Sequence, residues 1–183
     1  AYYLPETLLE LARQWLLATY RFEGKTGAPK LPDLRGLQAG APPEVLAHRS
    51  NLSVRAFAVD HTVPSLGYTL CDHKRKLRTE LLGTPGAQLA RLRQSGVVID
   101  RPVHQPRVTF IGDCTAETLA RETHIWDSPL LIIEATFVTD GDEERARARG
   151  HTHLNEIARL LIDGGDAIGC RDIVLKHFSM KCD

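Results

Sequence analysis

Apolar residues recur along the chain with two different spacings. Leu8, Leu11 and Trp15 return every three to four residues behind Pro5, a residue suited to a first helical turn, so a helix is predicted near the start. Residues 24–44 (GKTGAPKLPDLRGLQAGAPPE) are interrupted repeatedly by Gly and Pro and read as an extended surface loop. Leu52 to Val59 partly alternates and runs into Asp60-His61; Leu66 to Cys71 follows, giving a hairpin-like pair around the His61–Gly67 turn. After the charged residues 72–83, a helix is predicted from about Gly86 to Gln94, stopped by Gly96. Arg107 to Ile111 is a short strand closed by Gly112-Asp113. Pro129 to Phe137 (PLLIIEATF) is a continuous apolar run of strand length, as expected for a strand buried on both faces. A charged helix over 142–149 ends at Gly150, an amphipathic one spans His153 to Ile162, and a last strand, Ile173 to Leu175, leads into His177. Strands and helices alternate in the second half, so the class is α/β.

Length and composition narrow this further. With 183 residues, 43% of them hydrophobic, the chain can bury a core as one domain. Lys plus Arg and Asp plus Glu both number 23, which excludes a wholesale basic protein but not a local basic patch. No apolar run of about 18 residues exists, so no membrane span is predicted. The opening AYYLPETLLELARQW has no signal-peptide pattern, and Cys71, Cys114, Cys170 and Cys182 form no CxxC pair. Both observations lead to the expectation of a reduced, cytoplasmic chain. The first residue is Ala, so either the start is processed or the chain is a portion of a longer protein. Eight histidines direct attention to metal or acid–base chemistry. Three predicted strands end in ligand-type residues: Val59 before Asp60-His61, Ile111 before Asp113, Leu175 before His177. In layered α/β folds, sites gather at such strand ends.

The segments VDHTVPSLGY (59–68), FIGDCT (110–115), IIEATF (132–137), GHTH (150–153) and LKHFS (175–179) occur in the order, and near the spacing, found in the ribonuclease Z family of the metallo-β-lactamase superfamily. The chain resembles that family over about residues 50–179, and KRKLRTELLGTPGAQLARLRQSGVVID (74–100) resembles its plant-type short branch. The resemblance implies a four-layer αββα sandwich with a dinuclear zinc site, acting to remove 3′ trailers from precursor tRNA. It also implies that the chain is the later portion of such a domain, because the early HxHxDH motif, which supplies four metal ligands, is absent here. The partner then expected is a missing N-terminal half or a second copy of the chain. Other departures are Ile133 where many members have His, Cys114 where GDT is usual, and Lys181-Cys182 where Arg-Tyr often follows.

Carried over by motif, the resemblance makes Asp113 the bridging aspartate, since a carboxylate can span two ions 3.5–4 Å apart with separate oxygens. It makes His61 and His177 ligands of the two ions, each expected to donate its other ring nitrogen to a carboxylate or carbonyl. Asp60 is a poor candidate for that role because it points the opposite way. His151 becomes the acid that protonates the leaving 3′-oxygen, with Glu134 orienting it. Residues 72–100 carry Lys74, Arg75, Lys76, Arg78, Arg91 and Arg93 against Asp72, Glu80 and Asp100. That makes the stretch a possible arm whose Lys74, Arg75, Lys76 and Arg78 contact tRNA phosphates without reading sequence. His153 has no assigned role, and His48, His73, His104 and His124 are expected to be solvated. Two other readings stay open: a superfamily hydrolase of small esters or phosphodiesters, and a non-catalytic module with an incomplete metal site.

Overall fold

A computed structural model describes residues 1–179; Lys181 and Cys182, noted above, lie outside the described residues. In chain order the elements are β1 (Tyr2–Pro5), α1 (Leu9–Phe22), β2 (Leu34–Leu37), β3 (Glu44–Leu46), β4 (Arg49–Val59), β5 (Ser65–Leu77), α2 (Gly86–Gln94), β6 (Asp100–Phe110), α3 (Ala116–Arg121), β7 (Leu130–Glu134), α4 (Glu143–Ala148), α5 (Leu154–Gly164) and β8 (Asp172–Lys176). Strands β3 to β8 form one six-stranded sheet in sequence order. Its first four strands are antiparallel, and β6, β7 and β8 run parallel. Parallel neighbours need crossovers, and these carry α3 in one case and α4 and α5 in the other. No described helix is long and apolar enough to cross a membrane.

The strand period of two divides the side chains between two unlike faces. Phe57, Val59, Ile111, Leu131 and Ile133 point to the helical side and form the core with Leu119, Ile125, Trp126 and Ile157. The register puts Ala56, Tyr68, Phe110, Ile132 and Val174 in one row on the other side. There Phe110 is 44% exposed and Val174 48%. The run around Leu130 is therefore buried on one face only: among the described residues the second is approached by β1, where the Tyr68 hydroxyl donates to Tyr3 O, and not by the helices of the core. This is a sheet with helices on one side, half of the layering expected for an αββα sandwich.

Two further expectations change. Residues 24–44 are not loop throughout: Leu34–Leu37 pairs in parallel with Tyr2–Pro5. Pro5 closes β1 and, as expected, also stands at the start of a helical segment, the 3-10 turn Glu6–Leu8 that leads into α1, which leaves Leu11 and Trp15 more than 60% exposed. Strand β5 does not stop at Cys71. Beyond β4's last partner at Asp72 it continues to Leu77, paired only with β6, as a projecting ribbon capped by α2.

Gly67 shows how closely this sheet packs. It faces Phe57 across β4 and β5, and a Cβ there would lie 2.2 Å from the Phe57 ring. Gly67→Ala is expected to destabilise the fold by about 1–3 kcal/mol, the usual range for overpacking. An unchanged urea midpoint would show that the Phe57 ring can move aside freely.

Candidate metal and proton-transfer site

The parallel strands deliver their C-terminal ends to one edge of the sheet, and β4, which also points that way, brings its own end there. Asp113 follows β6, Glu134 ends β7, His177 follows β8 and His61 follows β4. The approach to α5 contributes His151. Ligand atoms of Asp113, His151 and His177 lie within 4.8 Å of one another. The His177 Nδ1 is 3.4 Å from an Asp113 carboxylate oxygen. The His151 ring neighbours both other imidazoles, with centroids 5.6 Å from His61 and 5.5 Å from His177. The compact group of donors thus contains His151 rather than His61.

Glu134 organises this edge. Its side chain is fully buried and gathers donors from three segments. One carboxylate oxygen accepts from Cys114 N at 3.0 Å, Thr152 N at 3.3 Å and His151 Nδ1 at 2.9 Å. The other accepts from Thr136 N at 2.9 Å and from the Thr136 hydroxyl. An ionised carboxylate only accepts, so His151 carries a proton on Nδ1 and keeps Nε2 for exchange with its surroundings.

His61 is oriented in a similar way by the backbone. Its Nδ1 lies 2.9 Å from Gly150 O, which can only accept, so Nδ1 carries the hydrogen and Nε2 keeps its lone pair. Gly150 adopts φ +75°, and a Cβ there would come within 3.0 Å of that nitrogen. Asp60 turns away to pair with Arg121, which also donates to Ala58 O at 3.1 Å. The orienting acceptor of His61 is thus a carbonyl and not this neighbouring carboxylate.

Cys114 is fully buried at the foot of the site, and burial first of all, then the nearby carboxylates, push its thiol up to about 12. It stays a neutral thiol beside Thr152, whose hydroxyl donates to Cys114 O at 2.7 Å. His153 is buried and structural: it caps α5, accepting from Asn155 N at 3.0 Å through Nδ1 and donating through Nε2 to Thr139 O at 2.8 Å.

Three histidines expected in solvent are partly buried. The His73 and His104 rings face each other across β5 and β6 at 4.9 Å, and His104 meets the Ser53 hydroxyl at 2.7 Å. His124 packs edge-on against Phe57. Burial, with His73 and Arg55 nearby, pushes His104 down, and burial with Arg55 does the same to His124. His73 and His104 lie on the strands past the end of the apolar pattern, and the cover on His124 comes from Phe57, distant in sequence, so neither local pattern marks them. His48 is exposed, as expected.

On the ribbon, Lys74 pairs with Asp72 at 3.3 Å and Arg75 pairs with Asp100. Lys76 and Arg78 have no ion pair among the described residues. The cations available to a ligand there are fewer than the sequence count suggests. Two contributors escaped the sequence reading: the Gly150 carbonyl, which has no residue-type signal, and Thr136. Thr136 stands two residues after Glu134, and that spacing in extended chain could have shown that the two side chains share a face.

The chain matches no protein-family model. It is 33% identical over 136 residues to the chloroplastic tRNase Z TRZ2 of Arabidopsis thaliana, covering 73% of this chain and 37% of the relative. It is 34% identical over 152 residues to tRNase Z TRZ1 of the same plant, covering 81% and 52%. The chain therefore spans about half the length, or less, of these curated relatives. Among solved structures, human tRNase Z, short form, superposes with a TM-score of 0.53 at 20% identity, over 98% of this chain and 60% of that one. The metallo-β-lactamase fold protein YhfI from Bacillus subtilis superposes with a TM-score of 0.50 at 15% identity, over 89% and 49%. In sequence the chain, which has no HxHxDH motif, is similar to tRNase Z proteins over most of its own length, and in fold it is a metallo-β-lactamase-like α/β structure.

Proposed function

We propose that the chain supplies part of the metal site and the proton-transfer pair of a zinc-dependent phosphodiesterase that removes 3′ trailers from precursor tRNA. The observation that carries this reading is the Glu134–His151 pair standing against Asp113 and His177 at one sheet edge, in a chain whose relatives are ribonuclease Z proteins. The donor set suits zinc: one carboxylate and imidazoles, with the His61 ring held at Nδ1 by a carbonyl, the usual second partner of a ligating histidine. Asp113, His61 and His177 would hold metal. Bound zinc would lower the pKa of a coordinated water and stabilise charge on the phosphate.

His151 then works from the opposite side of the cleavage. Glu134 holds its Nδ1–H, so Nε2 is the atom placed to deliver a proton to the leaving 3′-oxygen. Lys76 and Arg78, without ion pairs on the ribbon, would meet tRNA phosphates at a distance from this edge, and Lys74 and Arg75 would do so only by exchanging their carboxylate partners. A cytoplasmic setting fits the free thiols of Cys71, Cys114 and Cys170.

The test is a pair of parallel assays on a full-length protein that carries this chain together with an HxHxDH segment. One uses a precursor tRNA with a 3′ trailer, the other a small phosphodiester. The expected result is trailer removal that a chelator abolishes. Hydrolysis of the small ester alone would support another superfamily hydrolase. Inactivity on both with metal bound would support a non-catalytic module.

A further inference from the structure

His177 has φ +62°, and it is the one non-glycine residue with positive φ among the described residues. Such a conformation costs of order 1–3 kcal/mol and persists only where its surroundings impose it. Thr136 belongs to those surroundings twice over. Its backbone carbonyl accepts from Ser179 N at 2.9 Å, and its hydroxyl oxygen lies 2.9 Å from His177 Nδ1. Just before it, Ala135 N donates to Lys176 O at 2.9 Å. The turn holding His177 is therefore fastened on both sides to residues 135 and 136.

The hydroxyl has a single hydrogen, and Glu134 determines where it goes. The second Glu134 oxygen sits against Thr136 Oγ1 and can only accept, so the Thr136 hydrogen points there. What Oγ1 offers to His177 is then a lone pair, and the hydrogen between Thr136 and His177 must belong to Nδ1. The Asp113 oxygen 3.4 Å from the same nitrogen is a second acceptor and favours the same arrangement. His151 Nδ1, 3.3 Å from Thr136 Oγ1, already has its better acceptor in Glu134 at 2.9 Å.

We infer that Thr136 is a positioning residue that holds His177 as its Nδ1–H tautomer, leaving Nε2 as the atom with a free lone pair. Thr136 thereby links two groups that chemistry at this edge would use separately, the Glu134–His151 pair and the His177 ring. Its consequence for metal binding rests on the function proposed above, whereas the tautomer itself does not.

Long-range ¹H–¹⁵N NMR of the metal-free, ¹⁵N-labelled chain reads the tautomer directly, with the His177 signals assigned by their loss in His177→Gln. The expected result is a protonated Nδ1 and an unprotonated Nε2 in the native sequence, retained in Thr136→Ser and replaced by a mixture of tautomers in Thr136→Val. A protonated Nε2 in the native chain would overturn the inference with no variant needed. So would a Thr136→Val chain that keeps the Nδ1–H form unchanged. In a full-length protein carrying the chain, Thr136→Val is expected to weaken zinc affinity by about 10- to 100-fold, the usual effect of removing a ligand's orienting partner, with Ser restoring it. Equal zinc affinity in the native and Val proteins would remove Thr136 from any role at the metal, whether or not tRNA is the substrate.

Discussion

Replacing His151 by Ala in a full-length protein that carries this chain is expected to slow turnover by about 10²- to 10⁴-fold, the usual contribution of a positioned general acid. Metal content should stay nearly unchanged. The reason lies in how the ring is held. Glu134 takes the Nδ1–H, so the imidazole is fixed in one orientation before any substrate arrives, and Nε2 is its only exchangeable position. The alternative is specific, because His151 shares a 4.8 Å cluster with Asp113 and His177, and three such groups could together hold one ion. Parallel kinetics and metal analysis separate the two roles. Slow turnover with full metal makes His151 the acid; slow turnover with metal lost makes it a ligand.

Glu134→Ala is expected to cost about 3 kcal/mol or more of folding stability, beyond any loss of activity. Glu134 has no exposed surface, and its carboxylate receives donors from the loop after β6, from the chain just beyond β7 and from the approach to α5. Removing it leaves the amides of Cys114, Thr136 and Thr152 buried without acceptors, and each unsatisfied group costs on the order of 1–3 kcal/mol. The same deletion frees His151, so stability and proton transfer fail together. Urea denaturation of the isolated chain measures the first effect without any assay of function. A loss under about 1 kcal/mol would mean that water or a relaxed backbone replaces the carboxylate, and the site would not have the rigidity assigned to it here.

The parts of this structure legible in the sequence are those encoded locally. The Gly86–Gln94 helix could be read from its stop at Gly96, and the strand ends from the apolar runs that stop at Asp60-His61, Asp113 and His177. That Glu134 and His151 would meet was implied by the family resemblance of their two motifs, not by any local pattern. What was not legible depends on distant partners. Leu34–Leu37 is a strand only because Tyr2–Pro5 lies beside it, and a parallel pairing across an intervening helix leaves no alternation in a stretch rich in Gly and Pro. The continuation of β5 to Leu77 was hidden because Lys74, Arg75 and Lys76 lie exposed on the ribbon, where strand pairing needs no apolar alternation. His153 has no role legible in the sequence because capping depends on where α5 starts, and the amphipathic pattern places that residue inside the helix. The one-sided burial of β7 was missed because Leu130 and Ile132 are as apolar as Leu131 and Ile133. Only the sheet shows that helices cover the second pair and leave the first half open.

The open face and the short ligand list both fit the proposal that this chain supplies only part of a dinuclear site. Metal titration of the isolated 183 residues tests it most directly. Sequence and structure together offer Asp113, His61 and His177, with His151 alongside, where two zinc ions need at least three protein ligands each. Equilibrium dialysis with elemental analysis is expected to find one weakly held ion or none per chain. Two tightly held zinc ions in a monomer of this chain would contradict the assignment of its ligands and the incompleteness of its site together.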